Sequence, residues 1–152
     1  ALEHMFARAQ RNSRMTIAHL SETDDVLHAL AADARKFYFS EAFFGGLDAL
    51  LSATKDASTR AGVRDLGNRY RTGNEEMWRD HLIAQGVPAR DAETAVWMLL
   101  SIIRGFAIRS LLKHDPMRID EMIALGLSMM QRFLREQQLK TQELEAALRR
   151  AR

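Results

Sequence analysis

The chain contains no cysteine, only two prolines, and aromatic residues at just 7% of its 152 positions. Without cysteine there are no disulfide staples, no thiolate zinc sites and no thiol nucleophile. A surplus of one charge sign is lacking too. The formal net charge is +2, too small for a bare electrostatic nucleic-acid binder, which needs a clustered basic face. Long pure apolar runs are also missing. The longest, residues 95–112, is interrupted by Arg104 and Arg109 and holds Ser101 and Ser110, so no membrane span is expected. The first five residues lack the basic-then-apolar order of a secretion signal. They read either as a vector-derived leader or as native helix, because Leu2, Met5, Phe6 and Ala9 share one helical face. Together these absences fit a cytoplasmic protein.

What is present is a chain 47% apolar and 28% charged, the composition of one globular domain able to bury a core. Apolar residues recur at i, i+3 and i+4 spacing, and strand-like alternation is missing, which predicts an all-α bundle of about six helices. The first helix is expected to reach Leu20. Ser21 and Asp24 have the spacing of a capping box for a second helix carrying Val26, Leu27, Leu30, Ala34, Phe37 and Tyr38. A break near Ser40, or at Gly45 and Gly46, sets off a shorter third helix. Residues 56–59 supply a cap for a long fourth helix to about Gln85. Gly86 suits its left-handed C-terminal position, and Pro88 suits the first turn of the fifth helix. That helix reaches about Lys113. Asp115 then caps, and Pro116 opens, a last helix running well past Phe133. From Glu136 onward only Leu139, Leu144 and Leu148 are large and apolar, the pattern of a solvated helical tail.

The fifth helix is apolar around most of its circumference between Ala95 and Ile108. Such a helix must be covered on more than one side. One face can meet the chain's own core; covering the other points to a second copy around a twofold axis. Gly105 and Gly126 would permit close helix approach. The competing reading wraps this helix entirely within one subunit. The fourth helix carries an apolar stripe of Val63, Leu66, Tyr70, Met77, Trp78 and Leu82, with Asn74 and His81 on or beside it. Apolar walls with a few polar groups describe a small-molecule pocket; the same stripe also describes plain core.

Motifs for chemistry are missing. Bundle metal sites use Glu-x-x-His on two helices, and the nearest match is the single Asp25-x-x-His28. No two of the five histidines stand at i, i+4. There is no His-Glu-x-x-His, no Gly-rich phosphate loop and no Gly-x-Ser-x-Gly elbow. No catalytic residue, metal or cofactor is therefore expected, and an enzyme is the weakest of three readings.

The order of helices, with Trp78 to Leu82 followed by Gly86, residues 92–95, residues 99–108 with their Arg104-Gly105 pair, and Asp115-Pro116, resembles the regulatory domain of TetR-family transcription regulators. The resemblance covers about residues 5–135. It implies a homodimer in which the last two long helices of each subunit form a four-helix bundle. It further implies a pocket for a small apolar or aromatic effector. Residues 1–20 would be a connecting helix, 21–135 the ligand-binding and dimerisation domain, and 136–152 a solvated tail. The implied pocket residues are Phe37, Phe44, Leu47, Leu66, Tyr70 and Asn74, together with Met77, Trp78, His81, Met98, Ile102 and Phe106. The implied pairing residues are Trp97, Leu100, Arg104, Gly105 and Ile108, with Ile123, Gly126, Met130 and Phe133. The family's N-terminal helix-turn-helix has no counterpart in these residues, so DNA contact, as a repressor, would belong to a separate part of a parent protein. The alternative is a helical homodimeric interaction module with no small-molecule ligand.

Overall fold

A computed structural model describes residues 2–52 and 57–151. It forms six helices: α1 (Leu2–Ala18), α2 (Val26–Tyr38), α3 (Glu41–Ser52), α4 (Ala57–Ala84), α5 (Ala89–Ser110) and α6 (Pro116–Arg150). There is no strand among the described residues, as the periodicity predicts. None of their helices is long and apolar enough to cross a membrane.

The helix ends follow local chemistry, with instructive shifts. The Ser21 and Asp24 pair does bond, the Ser21 amide donating to the Asp24 carboxylate at 2.7 Å. That bond lowers the Asp24 pKa through backbone and side-chain donation from Ser21, but it closes a turn rather than starting a helix. The cap of α2 is Asp25, whose carboxylate accepts from the His28 amide. The break between α2 and α3 falls at Phe39 and Ser40, where the Ser40 hydroxyl donates to the Phe37 carbonyl and accepts from the Phe43 amide. Gly45 and Gly46 lie inside α3. Gly86 takes a φ of 90°, a left-handed conformation that costs glycine no steric penalty, and the Val87 amide bonds back to Leu82. Pro88 stands one position earlier than expected, at the cap of α5 rather than in its first turn. Asp115 and Pro116 cap and open α6 as the sequence predicts. The proposed cap at Asp56 lies outside the described residues.

The core is organised around α5. Ala92, Ala95, Val96, Leu99, Ile103 and Ala107 are all fully buried on it, facing α2, α4 and α6. Small residues at 92, 95 and 107 let neighbouring helices approach, while Val96, Leu99 and Ile103 fill the space between them. Leu30 and Trp78 supply the bulk from α2 and α4. Burial on this scale contributes roughly 1.5–3 kcal/mol per large aliphatic side chain. On α6 the inward residues are Ile119, Ile123, Gly126, Met130 and Leu134, and an Arg35–Asp120 ion pair ties α2 to α6 at the surface. Gly126 is a close approach: a Cβ there would stand 3.0 Å from Ile102 of α5. At Gly105 nothing lies within 4 Å.

Coverage of α5 is one-sided. Trp97 and Met98 are 54% and 48% exposed, and Gly105 and Ile108 continue the same outer strip. Leu125 and Met129 extend it onto α6. The helix is therefore not wrapped within one subunit. Ile123, Gly126 and Met130, expected on the pairing face, are turned inward, because the i, i+3, i+7 row they share is the one that meets α5. Beyond Leu134 no residue of α6 is buried. Gly126→Leu is expected to drive a side chain into Ile102 and to cost about 1–3 kcal/mol. Gly105→Ala, which meets no neighbour, is expected to gain up to about 1 kcal/mol from helix propensity. Urea unfolding of dilute protein checks the opposite signs.

Candidate ligand cavity

On the side of the core away from α6, five helices enclose a cavity of about 960 Å³, within the range of small-molecule sites. α1 runs antiparallel to α2, since Phe6 meets Phe37 while Ser13 meets Asp33. It runs parallel to α4, since Phe6 stacks on Tyr70 with ring centroids 5.7 Å apart and Gln10 lies against Gly73. α3 adds Phe43, which meets Phe37 and Tyr38 edge-on at 5.6 and 5.0 Å. Phe6, Phe37, Tyr38, Phe43 and Tyr70 make an aromatic wall, and Leu30, Leu47, Leu50, Val63 and Leu100 complete the apolar lining.

Two polar stations break this lining. At the first, Ser13, almost fully buried, donates its hydroxyl to Asp33 at 2.5 Å. Burial raises the Asp33 pKa, and the Ser13 bond and the charge of Lys36 oppose it without cancelling it. The second station gathers Tyr38, Arg71, Asn74, Glu75 and Arg104. Burial raises the Tyr38 pKa, Glu75 adds to the rise, and Arg104 and Arg71 pull the other way. The Arg104 guanidinium stands 6.0 Å from the Tyr38 ring centre. Arg71 pairs with Glu75 at 3.7 Å. Asn74 Oδ1 is buried with no hydrogen-bond partner, as are Trp78 Nε1 and His81 Nε2 further along α4.

Of the residues expected to form a pocket, the structure brings Phe37, Leu47, Tyr70 and Asn74 to the cavity wall. Phe44 touches Phe43 behind that wall. Leu66, Met77 and His81 lie elsewhere on α4, and Trp78 is fully buried in the core with Leu30 and Leu99, closing off the cavity one turn beyond Asn74. The α5 residues are displaced systematically. Met98 is exposed, Ile102 meets Gly126, and Phe106 packs against the core edge. The cavity face of α5 is instead Leu100, Arg104 and Ile108. Those positions are offset by two residues, about 200° around a helix, so the expected face and the observed face are nearly opposite. Leu100 and Arg104 consequently leave the pairing set and Ile108 serves both surfaces, while Phe133 is half-buried beside the core.

Ser13, Asp33, Tyr38, Arg71 and Glu75 escaped the sequence reading. The one available signal was their i, i+3, i+4 registry with apolar neighbours on amphipathic helices, which polar residues at a solvent boundary share. Among the described residues no three His, Cys, Asp or Glu side chains gather as a metal site.

Comparison with known proteins gives one informative result. The chain is 31% identical over 118 residues, 78% of its length, to the HTH-type transcriptional regulator CymR of Pseudomonas putida. It spans 58% of that relative. No protein-family model matches the chain, and no solved structure does.

The Asp33 environment sets a pH dependence. Its folded-state pKa lies above the ordinary 3.8, so the folded chain binds the proton more tightly than the unfolded one. Stability contributed by neutral Asp33 is full below 3.8 and is lost as pH rises through the folded-state value. Asp33→Asn, which keeps an acceptor for Ser13, is expected to gain stability relative to the parent between pH 3 and pH 6. A constant difference in denaturant midpoints across that range would contradict this assignment.

Proposed function

We propose that this chain is the effector-binding and dimerising part of a TetR-like transcriptional repressor. A small apolar or aromatic ligand occupies the cavity and modulates DNA binding by a separate part of a cytoplasmic parent protein. The observation that carries this reading is the cavity itself, a volume of about 960 Å³ walled by five aromatic rings and reached by two polar stations. A protein interior is normally close-packed, so an opening this size through the middle of a small bundle asks for an occupant. Similarity to a transcriptional regulator supports the regulatory role.

The route from ligand to DNA would be α1. Phe6 and Ser13 make α1 a wall of the cavity, and its N-terminus leads away from the bundle. A ligand that favours one placement of α1 over another shifts the equilibrium by its difference in affinity for the two, typically 1–3 kcal/mol. The uncovered strip of Trp97, Met98, Gly105, Ile108, Leu125 and Met129 is the natural seam for a second copy, α5 and α6 of each chain making the four-helix bundle. Such a strip is self-complementary about a twofold axis.

The same strip supports a second reading, a helical pairing module with no ligand. A thermal-shift screen of apolar and aromatic small molecules separates the two. Stabilisation by a subset, lost in Tyr70→Ala, is expected for the effector domain; silence across a broad screen leaves the pairing module. Independently, the chain is expected to sediment as a dimer at micromolar concentration, and Trp97→Glu or Met129→Glu to give helical monomers. A monomeric parent chain would overturn the pairing.

A further inference from the structure

The second polar station of the cavity says what kind of ligand fits. Arg104 projects from α5 between the aromatic wall and α4, half-buried. Among the described residues it has no ion pair; its neighbour is the ring of Tyr38, 6.0 Å away. Glu75 is the carboxylate of this station, and it is spoken for by Arg71, with its side chain only 12% exposed. Asn74, alongside, has its amide oxygen buried and unpartnered, and a primary amide can turn to offer N–H instead. The other carboxylate of the lining, Asp33, is bound by Ser13 and stands five residues from Tyr38 along α2, about 7.5 Å of helix rise.

The charge of the whole lining leans the same way. Arg8, Lys36, Arg64 and Arg71 join Arg104, against two carboxylates, in a chain whose net charge is only +2. Cations gathered at the rim of a low-dielectric cleft raise the local concentration of anions and speed their entry. A half-desolvated guanidinium without a counter-charge is costly, and it is the side chain best shaped to take a carboxylate in two parallel hydrogen bonds.

We propose that the ligand is an aromatic or apolar monoacid. Its body lies against Phe6, Phe37, Phe43 and Tyr70, and its carboxylate is held by Arg104 with help from Asn74 and the Tyr38 hydroxyl. This rests on the cavity being a ligand site and adds the sign and position of the ligand's charge.

The test compares 2-naphthoate with its neutral isostere 2-naphthamide by isothermal titration calorimetry on the full chain. The acid is expected to bind at least about tenfold tighter, the equivalent of one charge-assisted hydrogen bond. In Arg104→Gln the preference falls to within about twofold while the amide keeps its affinity, and Arg104→Lys retains part of it. Arg79→Gln, whose guanidinium is paired with Asp80 outside the cavity, leaves the ratio unchanged. If the amide binds the parent chain as well as the acid, or if Arg104→Gln keeps the preference, the carboxylate assignment is wrong and the cavity reading survives. If neither compound nor any member of the apolar screen binds, both fall together.

Discussion

Everything else in this molecule depends on the inner face of α5. Six of its positions are sealed from solvent, and none of them carries a polar side chain. Three are alanines, which hold α2, α4 and α6 close, and three are branched or long aliphatics, which set the gaps between them. Because hydrophobic burial is proportional to area and has no direction of its own, it is this alternation of size that turns general stickiness into particular helix positions. Removing bulk there would leave a cavity where the structure tolerates none.

Once three helices are spent on one side of α5, the remaining surfaces follow. α1 and α3 have no contact with α6 among the principal helix packings. They lean instead on α2 and α4, too far from α5 for side chains to fill the volume between. The aromatic rings bridge this gap edge-on and face-on and line the space without closing it. The same one-sidedness leaves Trp97, Met98 and Met129 in solvent, a high cost for residues of that size. Cavity and uncovered strip are thus two consequences of one packing decision on opposite sides of a single helix.

Polar placement follows from that geometry as well. Ser13 and Asp33 are drawn together where α1 crosses α2, and burial then shifts the carboxyl toward its neutral form. Arg104 is long enough to carry its charge past the half-buried base of α5 to the Tyr38 ring, so a residue in the middle of an apolar helix becomes a feature of the cavity. A chain similar over most of its length to a transcriptional regulator therefore presents a site with a defined electrostatic character, not merely an apolar void.

Much of this was legible before the fold was known. Helical class, the number of helices, the left-handed Gly86 and the Asp115 and Pro116 start of α6 follow from spacing and backbone sterics, which act within a few residues. The need for α5 to be covered on two sides is equally local, since its composition states it. Rotational phase was not legible. A helix that is apolar nearly all round gives no sign of which arc meets the core, and an error of two residues turns it by about 200°. That is why Leu100, Arg104 and Ile108, rather than Met98, Ile102 and Phe106, face the cavity, and why Ile123, Gly126 and Met130 turned inward. The sequence by itself determined the elements and their ends, because those are set by hydrogen bonds along the chain. Only the tertiary structure decided which faces meet, because that choice belongs to side-chain volumes contributed by helices far apart in sequence.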